Sequence, residues 1–134
     1  MVYQHSKKLS KINYMYTIEI DFKGAKNEKD IIRRFYDTLQ LPQYGEKDTY
    51  SSWHALYDWL SSLDSDSKII SRMNPIPEHV HFILKNYAVT DGMRDVQHML
   101  LIFMASLTDN HPDHRGLGGN PNIKITFEVH YGDY

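Results

Sequence analysis

The sequence predicts a small α/β domain in which a three-stranded parallel sheet is packed with about three helices. Three segments carry apolar residues in the alternating or dense pattern of strands, and the segments between them carry apolar residues at helical spacing. In chain order the elements are strand, helix, helix, strand, helix, strand, as in a parallel sheet joined by helical crossovers. A length of 134 residues suits one core, so we expect residues 1–15 to form an N-terminal tail and residues 16–134 a single domain.

The first strand and the first helix are predicted before residue 40. Residues 16–24 alternate apolar and charged side chains and end at Gly24, which indicates a strand. Asn27 then offers a helix N-cap, and the side chains that follow it at helical spacing are Ile31, Ile32, Phe35, Tyr36 and Leu39. Pro42 marks the end of this helix because it cannot continue the hydrogen-bond pattern.

A second helix is predicted after a loop at residues 42–48. Its inner stripe consists of Trp53, Leu56, Tyr57, Leu60 and Leu63. Tyr50, His54 and Asp58 recur at steps of four on the other side, so an aromatic ring and two side chains that can carry charge should face water. Residues 64–68 and 74–78 are predicted to be loops.

The second half of the chain adds a strand, a helix and a last strand. Residues 78–87 are dense in apolar side chains, as in a buried strand. The next helix has the broadest apolar face, formed by Val96, Met99, Leu100, Phe103, Met104 and Leu107. A loop rich in Gly, Pro, Asn and Asp follows, and residues 123–131 close the sheet with strict alternation.

Composition excludes several classes of protein. The chain has no cysteine, which excludes a disulfide framework, a thiolate metal site and a cysteine nucleophile. Its longest apolar run, residues 99–107, is too short to span a bilayer, and its first residues lack the apolar core of a signal peptide. We therefore expect a cytoplasmic protein that does not bind a membrane.

The charges are distributed unevenly along the chain. Residues 1–34 carry eight basic and four acidic side chains, whereas residues 44–66 carry five acidic side chains and one basic one. The acidic segment also contains both tryptophans. Because nucleic-acid binding needs cations beside the stacking aromatic rings, this combination favours a basic protein partner over direct binding of nucleic acid.

The sequence contains no recognisable catalytic motif, since it lacks both a phosphate-binding glycine loop and a serine nucleophile elbow. Histidines leave one alternative open, a metal-dependent enzyme that uses His79 and His81, or His111 and His114. We expect the latter pair to be solvated in its loop. His79 and His81 share one face of a strand and could reach across to His130, but we expect them to be satisfied polar side chains. The chain is then expected to have no metal, no cofactor and no catalytic residue.

The segment LPQYGEKDTYSSWHALYDWL, residues 41–60, resembles the central signature of the barstar family. In that family a Leu-Pro-x-Tyr loop precedes a Trp-x-Ala-Leu-x-x-Trp helix. The matching positions are Leu41, Pro42, Tyr44, Trp53, Ala55, Leu56 and Trp59. The resemblance implies a three-stranded parallel sheet packed with helices and an intracellular inhibitor that blocks a nuclease active site with this loop and helix.

The resemblance, taken with the aromatic and charge patterns, predicts an immunity protein that binds and inhibits a cognate toxin, a ribonuclease of the kind used in contact-dependent growth inhibition. The predicted partner-binding residues are Tyr44, Glu46, Asp48, Tyr50, Trp53, His54 and Asp58. The resemblance makes Tyr44 a contact residue and Trp53 a contact or supporting residue. Tyr50 and His54 replace acidic contacts of the family, so we expect a different target. A barstar-like scaffold for another macromolecule remains the second alternative.

Overall fold

The centre of the molecule is a parallel sheet of three strands, seen in a computed structural model that describes residues 15–42, 52–87, 93–109 and 123–132. The strands are β1 (Met15–Asp21), β2 (His79–Lys85) and β3 (Lys124–His130), and β2 lies between the other two. This sheet confirms the predicted fold class. The first strand already includes Met15, the last residue of the predicted tail.

Within the described residues, four helices accompany the sheet: α1 (Glu28–Leu39), α2 (Trp53–Leu60), α3 (Leu63–Asp66) and α4 (Arg94–Asp109). A 3₁₀ turn, Ile70–Arg72, precedes β2. The expectation of a loop at residues 64–68 was wrong for the first three of them, which belong to α3. Leu63 explains the difference, because its fully buried side chain holds this serine-rich and aspartate-rich turn against the core.

The helices bury one face of the sheet. The apolar sheet positions belong to a single core with residues from α1, α2 and α4, and they are Ile18, Ile20, Val80, Phe82, Leu84 and Ile125. Ile18 is the register partner of Phe82, and Phe82 is the partner of Phe127. The opposite face carries the alternate residues, which are polar except for Met15 and Ile83 and are exposed or half-buried.

Two phenylalanines connect the sheet to the helices. The ring of Phe35 in α1 lies 6.1 Å from that of Phe82 and 6.3 Å from that of Phe103 in α4. Phe103 in turn lies 5.0 Å from Trp53 and 6.0 Å from Tyr57, both in α2. Aromatic pairs at these tilted and edge-on geometries stabilise packing beyond the area that they bury. Phe103 therefore links α2 to both α4 and the rings of the core.

Both ends of α1 are defined by specific contacts. The Asn27 side chain accepts a hydrogen bond from the backbone N–H of Asp30 at 2.9 Å, which confirms the predicted N-cap. Gln40 has a φ of 51°, the left-handed conformation that commonly ends helices. The carbonyl of Leu39 accepts a hydrogen bond from the hydroxyl of Ser67, so the end of α1 is tied to the segment after α3.

Two predicted features differ in detail. Strand β1 ends at Asp21 and not at Gly24, because the chain turns there and the N–H of Ala25 donates to the carbonyl of Phe22. Met99 was expected on the inner face of α4 but is 44% exposed. It lies at the border of the buried stripe, where a flexible apolar side chain can remain partly in water.

None of the helices in the described part of the chain is both long and apolar enough to cross a bilayer.

Candidate functional site

Helix α2 positions three of the predicted partner-binding residues. The Ser52 hydroxyl caps its first turn by accepting a hydrogen bond from the N–H of Ala55 at 3.1 Å. Leu56 and Leu60 are fully buried, so they fix which side of the helix faces the core. The alternate side, with His54 and Asp58, is left at the surface as the spacing predicted.

His54 and Asp58 form an exposed pair one turn apart. The Nε2 atom of His54 lies 3.9 Å from Oδ2 of Asp58, and the two side chains are 90% and 68% exposed. Pairs of this kind contribute little to stability because water screens them and the side chains lose conformational freedom. Both groups are therefore available to a partner at small cost to the fold.

Trp53 supports the helix from beneath. It is half-buried, and its indole N–H donates to Oε2 of Glu28 in α1 at 2.9 Å while its ring packs on Phe103. Of the two roles that the resemblance allowed, this geometry matches the supporting one. Glu28 lies in the first turn of α1, where the helix dipole favours a negative charge.

The other predicted residues, Tyr44, Glu46, Asp48 and Tyr50, lie outside the described residues, as do His111 and His114. The chain enters that segment beside an open cavity of about 410 Å³ at the C-terminal end of α1. The cavity is lined by Tyr36, Asp37, Gln40, Leu41, Pro42 and Lys68. It provides a recess next to the start of the predicted binding loop.

A second group of hydrogen-bonded polar side chains lies on the polar face of the sheet. His79 Nε2 is 2.5 Å from Thr126 Oγ1, and His81 Nδ1 is 2.7 Å from the same oxygen. On its other side His81 Nε2 is 2.7 Å from Glu128 Oε1, and His130 Nε2 is 2.6 Å from Glu128 Oε2. We call these five residues, His79, His81, Thr126, Glu128 and His130, the polar sheet network.

Two groups of the network, Glu128 and His79, have shifted pKa values. Hydrogen bonds from His130 and His81 lower the pKa of Glu128, which is therefore a carboxylate at neutral pH. Partial burial, followed by the charges of Lys124 and His81, lowers the pKa of His79 and favours its neutral form. The carboxylate can only accept hydrogen bonds, so both of its imidazole partners must donate to it.

Sequence reasoning found the histidines of this network but missed Thr126 and Glu128. The expectation that His79 and His81 are hydrogen-bonded polar side chains is confirmed, although the link to His130 runs through Glu128. The alternation of residues 123–131 already placed Thr126 and Glu128 on one face. Their pairing with β2 depends on the register of the two strands, which the sequence does not specify.

The described residues contain no group of three or more His, Asp or Glu side chains arranged to hold a metal ion. Comparison of the chain with protein-family models, with curated proteins and with solved structures returned no match.

Proposed function

We propose that this chain is a barstar-like immunity protein, a cytoplasmic bacterial inhibitor that binds a cognate toxin domain and occludes its active site, with a ribonuclease as the target. One observation carries the proposal. The segment that resembles the barstar signature continues into a short helix whose apolar side is held in the core and whose charged side is exposed.

The attachment of α2 suits an inhibitor because a rigid binding element loses little conformational entropy when it meets its partner. Leu56 and Leu60 anchor the helix from below, and Trp53 joins it to α1 and α4 through one hydrogen bond and one ring contact. His54 is thereby presented at a fixed place on the surface. A side chain of this kind can serve as an anchor in a partner's pocket.

The charge of the region agrees with a basic target. Residues 44–66 carry a net charge of −4 when histidine is neutral, and Asp58 lies fully within the exposed face of α2. Ribonuclease active sites must attract phosphate and are therefore positively charged. Opposite charges raise the rate of encounter and exclude wrong partners more than they raise affinity.

The test is a calorimetric titration of the purified chain with the toxin domain encoded beside it, combined with an assay of RNA cleavage by that domain. We expect one-to-one binding with a dissociation constant of about 1 nM or lower and loss of cleavage at equimolar inhibitor. Binding without inhibition would support the scaffold alternative. The absence of both binding heat and inhibition would refute the proposal. A salt-dependent affinity of the chain itself for RNA would also refute it.

A further inference from the structure

The polar sheet network has no part in the proposed inhibition. The described helices share their core with the apolar side of the sheet, whereas the network lies on the opposite side. Its central histidine, His81, is 18% exposed and touches a hydroxyl with one ring nitrogen and a carboxylate with the other. The order hydroxyl, imidazole, carboxylate is that of the catalytic triads of hydrolases, which are recognised by geometry and not by position in the chain.

The donor and acceptor properties of these groups fix the direction of each hydrogen bond. Glu128 accepts the Nε2–H of His81, so neutral His81 has a bare Nδ1 that can only accept. Its partner at that nitrogen is the hydroxyl of Thr126, which must therefore donate to it. The same hydroxyl oxygen accepts the Nε2–H of His79. In this state the Thr126 proton already points at the group that would remove it.

We propose that Thr126 is a nucleophile toward small carboxylic esters, with His81 as its general base and Glu128 as the residue that orients His81. An adjacent base activates a hydroxyl that is otherwise a weak nucleophile. The hydrogen bond from His79 further stabilises negative charge on the attacking oxygen. Small esters are the fitting class, because Thr126 is half-buried and a small acyl group is the easiest to bring to its hydroxyl.

Lys124 completes the site electrostatically. It precedes Thr126 by two residues on the same side of β3 and is the register partner of His79. Its charge contributes to the lowered pKa of His79, so it acts on the same small region of the sheet. A positive charge beside the attacked carbonyl stabilises the oxyanion as it forms.

The reaction balances as an ordinary acyl transfer to water. Thr126 Oγ1 bonds to the carbonyl carbon as its proton passes to His81 Nδ1. The alkoxide of the ester leaves with the electron pair of its C–O bond and takes that proton from His81, so it departs as the alcohol. Water then attacks the acyl-threonine and gives one proton to His81, which passes it to Thr126 Oγ1 as the carboxylic acid departs. The net reaction consumes one ester and one water.

The test uses the full chain with p-nitrophenyl acetate, and it follows p-nitrophenolate release and the mass of the acid-quenched protein. We expect an acetyl group on the peptide that contains Thr126 and a rate at least about 100-fold above that of Thr126→Val, the low end of general-base catalysis. Thr126→Ser should retain activity, and His81→Asn should lose it.

Other titratable or charged side chains share this face of the sheet. They are Glu19, Asp21, His79, Lys85, Lys124, Glu128 and His130. Glu128→Gln should lower the rate because it releases the orientation of His81. A merely structural role for Glu128 would change unfolding and leave the rate per folded molecule unaltered.

Thr17→Val is the matched control, because Thr17 is the register partner of His81 on the opposite neighbouring strand and is exposed. It should hydrolyse the ester at the wild-type rate. Equal rates for wild type and Thr126→Val, or an acetyl group found only on exposed histidines such as His54, would overturn the proposal. If Thr126→Val fails to fold, the site of acetylation in the wild-type chain decides the question alone.

Discussion

Replacement of Phe103 by alanine tests the packing that holds α2 in place. The side chain is 6% exposed and contacts the rings of Phe35, Trp53 and Tyr57. Loss of its burial costs about 1.5–3 kcal/mol, and the cavity left between three rings raises the cost to about 3–5 kcal/mol. For a domain whose whole stability is of order 5–15 kcal/mol, this is a large fraction.

The neighbouring residue provides the control. Ile102 lies on the same helix but is 49% exposed, so Ile102→Ala should cost less than about 1 kcal/mol. The assay is urea unfolding followed by circular dichroism, with the free energy taken from the midpoint at an unchanged slope. A cost below about 1 kcal/mol for Phe103→Ala, or equal costs for the two variants, would refute the view that α2 is attached through α4.

Three further predictions concern a buried hydroxyl, a surface carboxyl and the predicted binding residues. Ser67→Ala should lower the free energy of unfolding by about 1–3 kcal/mol. The buried Ser67 hydroxyl donates to the carbonyl of Leu39 at 2.7 Å and accepts from the N–H of Ile70 at 3.1 Å. Ser65→Ala, at an exposed position, should cost little in the same urea titration. Hydrogen bonds from Asn86 and from the backbone lower the pKa of Asp21. The Asp21 carboxylate therefore stabilises the fold above the ordinary carboxyl pKa, and this stabilisation is lost as pH falls through the lowered pKa. Asp21→Asn should flatten the acid side of a plot of melting temperature against pH. Alanine at both Tyr50 and His54 should weaken toxin binding by more than about 2 kcal/mol in calorimetry.

Each of these predictions has a matched variant. Asp37→Asn changes an exposed carboxyl on α1 and should leave the acid limb of the melting curve intact. Met99→Ala removes a partly exposed apolar side chain from α4 and should leave toxin affinity unchanged. An acid limb that is flattened equally by both aspartate variants, or binding that survives the double alanine variant within about twofold, would contradict the corresponding argument.

Local sequence signals predicted the elements well where one physical cause dominates. Asn27 predicted the start of α1 because an amide side chain before an apolar stripe has one favourable use, and strict alternation predicted β3. The prediction for residues 64–66 was wrong because their serine and aspartate content indicates a loop, whereas the buried Leu63 holds them in a helix. Tertiary contacts had overridden local propensity there.

The candidate sites differ in how far they could be predicted. His54 and Asp58 follow from helical spacing alone, since both belong to one helix. The network around His81 depends on contacts between residues 45 to 47 positions apart in the chain. Those contacts exist only in one strand register, in which His81 is the partner of Thr126. Alternation can assign side chains to a face but cannot select their neighbours across the sheet.

Both tryptophans of the chain, Trp53 and Trp59, belong to the eight residues of α2. All of the protein's tryptophan emission therefore originates from α2, where Trp53 and Trp59 flank the exposed His54 and Asp58 pair in the sequence. Changes in wavelength or quenching of that emission would report on this helix alone, without any label. The molecule thus carries its own optical probe at the surface where we expect its partner to bind.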